Sequence, residues 1–249
     1  MRRLPFVMLL VAVLANLTQA PAGAVVQNDS LIKLLAPPMT AVARLIVTER
    51  WDPRFDDLLQ RAPPAAPLGN KWTSTLPAWQ KARAALGARM TRILDAYSQS
   101  AELPALLAAE LKDLFPDAEA AALMAVLQGP AGPGIIQSQA SSTFIVEVMS
   151  DNPNGPSPGG RAFAEQAGAL NKRFKDRIGP SVPAVEPDPG RQPDVMKFMA
   201  EPAGTTFHRL WMAVVAKAVV AINGAVNLMI FDDREAILRD IAQAVATVK

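Results

Sequence analysis

The chain has one histidine, His208, and no cysteine among 249 residues. Without cysteine there is no thiol nucleophile, no disulfide, and no cysteine-ligated zinc or iron–sulfur centre. A Ser-His-Asp triad would have to use His208, yet no serine lies in a G-x-S-x-G frame. Zinc at His208 would need mainly carboxylate ligands, an unusual set for that metal. His208 is therefore expected to be a hydrogen-bonded or partly exposed structural histidine. Met196 and Met199 share a helical face upstream of it, and thioethers with imidazole are soft ligands suited to copper(I). The simpler expectation is that these methionines fill an irregular core.

The acidic residues give no clear constellation either. Asp56-Asp57 and Asp232-Asp233 are adjacent pairs, and neighbours on a helix diverge by about 100°, too far apart to converge on a substrate. Glu110, Asp113 and Asp117 fit a solvated acidic face. A glycan-cleaving enzyme would need two opposed carboxylates, and nothing selects a pair. Lys172, Arg173, Lys175 and Arg177 cluster, but Asp176 interrupts them and no aromatic platform is interleaved beyond Phe174, which is in phase with the core. A solvated face is the expectation, with contact to an anionic lipid or a partner as the alternative. No catalytic, cofactor-binding or metal-ligating residue is assigned, and no cofactor is expected.

One motif occurs twice. "LMAVLQGPAGPGII" runs from Leu123 to Ile136, and "VMKFMAEPAGTTFH" from Val195 to His208. A phosphate-cradling loop is excluded: Pro130 and Pro133 remove backbone donors, no lysine follows, and a helix precedes each break. Each Pro-Ala-Gly instead predicts a tight elbow between helices packed as a hairpin. Gly129 is expected to end its helix in the left-handed region, with Pro133 in the next first turn. In the second copy Pro202 disfavours helix at Glu201, and Thr205 or Thr206 is expected to cap. Met124 matches Met196 in frame, and Leu127 matches Met199, which predicts equivalent core positions. Duplication and chance use of a common corner both fit a match this short.

The elements that carry these residues read as helices punctuated by proline, so the fold class is all-α: a multi-helix bundle of hairpins with proline-rich loops. A short helix capped by Asp29 or Ser30 is broken by Pro37-Pro38, resumes over Met39–Arg50, and restarts at Asp52-Pro53. Ala62–Gly69 is a loop. Pro77–Ser98 is amphipathic, with Trp79, Leu86, Met90, Ile93, Leu94 and Tyr97 on one side. Helices follow from Ser100, from Asp117 to Gln128, and over Ile135–Met149, where helical phase overrides the strand-like "TFIVEV". Arg161–Ile178 is helical, Gly179–Asp194 an extended loop, and Thr205–Phe231 a greasy helix. One narrow face of that helix, Arg209, Ala213, Ala216, Lys217, Val220, Asn223, Gly224 and Asn227, is small or polar. It is expected to be a core helix rather than a membrane span, although Leu210–Phe231 has the length for either. Asp232 caps a last helix in capping-box spacing with Glu235.

The first residues look like an address. Arg2 and Arg3 precede the apolar run Pro5–Ala15, and Ala22-Gly23-Ala24 matches an A-x-A site. A cleaved signal peptide (1–24) is expected, with the cut after Ala24 and localisation in the periplasm or outside the cell. Its removal takes two arginines and no acid from a total of 25 basic and 23 acidic residues, leaving no net charge. Nucleic acid is then not an expected partner. The mature regions are 25–150, a linker at 151–160, and 161–249, which can pack as one domain.

The stretch Ala108–Ile136, "AAELKDLFPDAEAAALMAVLQGPAGPGII", resembles the core signature of the bacterial periplasmic family catalogued as domain of unknown function 2059. It departs from that pattern at Leu127-Gln128, where the family has an aromatic. The resemblance implies an all-helical exported protein with no assigned activity. The expected function is non-enzymatic binding of a cell-envelope partner or an apolar ligand. The alternatives are a peptidoglycan-type hydrolase using carboxylates and a protein that associates peripherally with a membrane.

Overall fold

The computed structural model describes residues 22–151, 161–180, 182–183 and 192–248. Most of the expected leader and linker, and much of the proline-rich loop, lie outside them. The described residues form nine α-helices and a 3-10 segment, with no strand among them: the fold is all-α. The helices are α1 (Ala22–Arg61), α2 (Pro77–Gln99), α3 (Glu102–Leu114), α4 (Asp117–Gln128), α5 (Gly132–Ser150), α6 (Arg161–Arg177), α7 (Gln192–Ala200), α8 (Pro202–Asp232) and α9 (Arg234–Val245).

The three short N-terminal helices expected from the prolines are a single helix of 40 residues, with Pro37, Pro38 and Pro53 inside it. Packing decides this. Leu31, Leu35, Met39, Val42, Ala43, Ile46 and Val47 are fully buried on both sides of the proline pair. Each interior proline costs about 3 kcal/mol, while each fully buried aliphatic side chain contributes roughly 1.5–3 kcal/mol. The apolar stripe is long enough to carry the helix across all three. The expected loop after it is a 3-10 segment, Pro63–Lys71, bent at Gly69, whose φ is 49°.

Both Pro-Ala-Gly elbows join helices as expected, α4 to α5 and α7 to α8. Their physical basis differs from the expected one. Gly129 is extended (φ −73°, ψ 175°), not left-handed, and its N–H donates to Ala125 and Val126. The glycine that matters is the one inside the motif. A Cβ on Gly132 would stand 2.9 Å from Leu127 Cα, and one on Gly204 would stand 2.8 Å from Met199 Cα. Both would also overlap a carbonyl of the preceding helix, that of Leu127 and of Phe198. Leu127 and Met199 are the residues matched in the sequence frame, so the two corners are alike in space as well as in letters.

The second corner departs from expectation in its cap. Glu201 is extended (ψ 157°), as Pro202 requires, but the helix begins at once with Pro202 in its first turn. Thr205 and Thr206 sit one turn inside and donate back to the carbonyls of Glu201 and Pro202. The core position expected at Met196 is 63 % exposed, and Met124 is only partly buried.

α8 is the hub, touching α1, α2, α3, α5, α7 and α9. Phe207, Leu210, Trp211, Val214, Val215, Ala218, Ile222 and Val226 are fully buried along it. Two polar residues within it find partners across the interface. Trp51 Nε1 donates to Asn223 Oδ1 at 2.9 Å, and Lys217 pairs with Glu110 on α3. The buried side chains form one cluster drawn from the residues on both sides of 152–160. At the last corner no capping box forms: Asp233 occupies the cap without a side-chain cap bond. Its carboxylate instead accepts from Arg89 at 2.9 Å, while Asp240 takes the same guanidinium at 2.5 Å. Asp232, the expected cap, is the last residue of α8, and the two-pronged ion pair ties α9 to α2.

Candidate functional site

The residues singled out by type are mostly tied into the fold. His208 Nδ1 lies 2.9 Å from Gln139 Oε1, and Gln139 Nε2 donates to Met199 Sδ at 3.1 Å. Gln139 is 1 % exposed, so the histidine and the thioether satisfy the one amide that α5 buries against α7 and α8. Thr143 donates to Met212 Sδ in the same seam. Met196 faces away.

Of the acids singled out, Asp56, Asp57, Asp233 and Glu110 are paired, while Asp113, Asp117 and Asp232 are exposed. Asp56 and Asp57 diverge as expected, to Arg83 and Arg61 respectively. Asp52 and Asp240 are held by Arg83 and Arg89. In the basic cluster, Arg173 and Arg177 clasp Glu49 at 2.6 and 2.7 Å. The Glu49 side chain is 6 % exposed, so the pair works as a pin between α6 and α1. Lys172 pairs with Asp176, and that hydrogen bond raises its pKa. No group of three or more His, Asp or Glu side chains suited to a metal occurs among the described residues.

Two open grooves stand out among the described residues. The larger, about 910 Å³, lies between α1, α2, the start of α3 and the end of α6. Its charges are already matched: Arg44 to Asp95 and Ser98, Arg177 to Glu49. Tyr97 lies in its wall, 8 % exposed, with its hydroxyl buried and without a partner.

The smaller groove, about 400 Å³, is of a different kind. It is built where three chain segments end together. The last turn of α1 supplies Leu58 and Arg61, and the last turn of α8 supplies Asn227, Ile230 and Phe231. The first turns of α9 close it with Arg234, Ile237 and Leu238. α9 is held away from α8 because it packs on α2 and the 3-10 segment, fixed there by Arg89. The walls are branched aliphatics and one aromatic ring. Phe231 is 76 % exposed and stands at the edge of the groove. Volume and lining match those of small-molecule sites, roughly 300–1,000 Å³ and mostly apolar with a few polar groups.

No family model, no curated protein and no solved structure matches the chain. The sequence did not reveal this groove. Phe231 and Leu238 read as core positions on their own helices, and Leu58 lay in a helix predicted separately. The one available signal was Phe231 at the very end of the greasy segment, beside Asp232, where an apolar ring has little left to pack against.

Proposed function

We propose that the chain is an exported helical protein that binds an apolar ligand, without chemical change, in the groove between α1, α8 and α9. The observation that carries this reading is the apolar cleft itself, with Phe231 standing exposed at its edge. The export half rests on the basic n-region, short apolar run and A-x-A site of residues 1–24, and on the resemblance of Ala108–Ile136. Near the N-terminus one described helix is apolar and long enough to cross a membrane, which fits export in a coarse way.

Titration with N-phenyl-1-naphthylamine tests the binding reading. Saturable fluorescence gain is expected, weakened about tenfold by Phe231→Ser, which removes roughly 1.4 kcal/mol of apolar contact. A linear, non-saturating signal that ignores the substitution would end it. N-terminal sequencing of the exported form is expected to begin at Val25.

A second reading has its own observation. The stretch of α8 apolar enough to cross a membrane is only 33 % buried, against 56 % for α1. Val220, Leu228 and Phe231 are all more than 60 % exposed along it. Docking of this stripe on a lipid surface would appear as flotation of the mature chain with liposomes, undiminished by salt.

A further inference from the structure

Arg234 is the unmatched charge of the small groove. It lines the cleft and makes no ion pair among the described residues. Of the acids nearest to it in sequence, Asp233 is engaged with Arg89 at 2.9 Å and Glu235 reaches Arg239 at 4.0 Å, and neither these nor the exposed Asp232 lines the cleft. Arg61, across the mouth, is already neutralised by Asp57 at 2.6 Å. No carboxylate lines the cleft. Arg234 is also the first residue of α9, where the helix dipole disfavours a cation and favours an anion. An apolar trough with one unopposed guanidinium at its mouth is complementary to one class of molecule. We infer that the groove takes a single-chain amphiphile with a singly charged carboxylate head, the chain lying against Leu58, Ile230, Phe231 and Leu238 and the head on Arg234.

Two features select this occupant. A guanidinium presents a planar fork of donors that fits a carboxylate in bidentate fashion. A single unneutralised cation matches one negative charge, whereas a dianionic head would need Arg61 released from Asp57. The inference rests on the apolar-groove reading above and narrows it.

Displacement of N-phenyl-1-naphthylamine from the mature chain tests it, with dodecanoate and dodecanol compared below their aggregation limits. Dodecanoate is expected to displace the probe about tenfold better, the worth of one charge-assisted hydrogen bond. Arg234→Gln is expected to abolish that preference by weakening dodecanoate, and Arg234→Lys to restore part of it. Arg234 is exposed, and matching far-UV circular dichroism spectra would show that the variants fold. Equal displacement by acid and alcohol would overturn the carboxylate head and leave the apolar groove standing. Failure of the probe to bind saturably would overturn both. Recruitment to phosphatidylglycerol vesicles, with no displacement by monomeric dodecanoate, would overturn the inference in favour of a bilayer surface.

Discussion

Tyr97 is the chain's one tyrosine, and its hydroxyl is buried without an acceptor. Burial first, and the charge of Glu102 second, push its pKa up to about 12. The fold therefore binds the phenol proton more tightly than the unfolded chain does. The associated stability is present in full below pH 10, the ordinary value, and is lost as pH rises from there towards 12. Tyr97→Phe removes that alkaline loss. At neutral pH the substitution is expected to be neutral or to stabilise by up to about 1 kcal/mol, since an unsatisfied buried hydroxyl is a cost. Urea midpoints at pH 7 and pH 11 for both proteins measure the difference, and phenolate absorbance follows a single group. A Tyr97→Phe protein that loses stability at pH 11 as steeply as the parent would refute the account. At this scale the sequence was partly legible. His208 was expected to hold a hydrogen bond, and Gln139 provides one. Gln139 itself was invisible, because only the fold reveals that an amide is buried between an imidazole and a thioether.

Among the helices, the Pro-Ala-Gly corners bear directly on stability. Each depends on a glycine pressed against the backbone of the helix before it, a close approach rather than an unusual φ. Gly132→Ala and Gly204→Ala are each expected to cost about 2–3 kcal/mol through overpacking. Gly168→Ala lies mid-helix in α6 with open space around it, and is expected to stabilise by about 0.5–1 kcal/mol. Thermal denaturation of the three variants separates close approach from a general intolerance of alanine. Helix existence and phase were readable because the apolar period is local: α2, α4 and α6 begin and end close to where their prolines and caps suggest. The prolines of α1 misled because propensity is local too, whereas the burial that overrides it comes from α5 and α8. The capping box at Asp232 failed for the same reason. The long apolar helix α8 runs on through Asp232, so the cap position falls to Asp233, one residue later.

Over the whole molecule, the buried side chains form one cluster that ignores the expected linker. Trp51 on α1 is hydrogen-bonded to Asn223 on α8, 172 residues later. Urea unfolding is accordingly expected to be one transition, with far-UV circular dichroism and tryptophan fluorescence coincident. Two separated midpoints would show that the regions before and after residue 151 fold independently. The groove was illegible from sequence because its walls come from the ends of three helices that meet only once this core has assembled.

The placement of α8 near the end of the chain has a kinetic consequence. A polypeptide emerging N-terminus first exposes the greasy flank of α1 long before its main counterpart has been synthesised. Until α8, which begins at Pro202, is out, α1 and α3 have no central rod to close upon, and such surface is prone to stray association. Cleavage or stalling before Pro202 would leave a nascent species that holdase chaperones should retain.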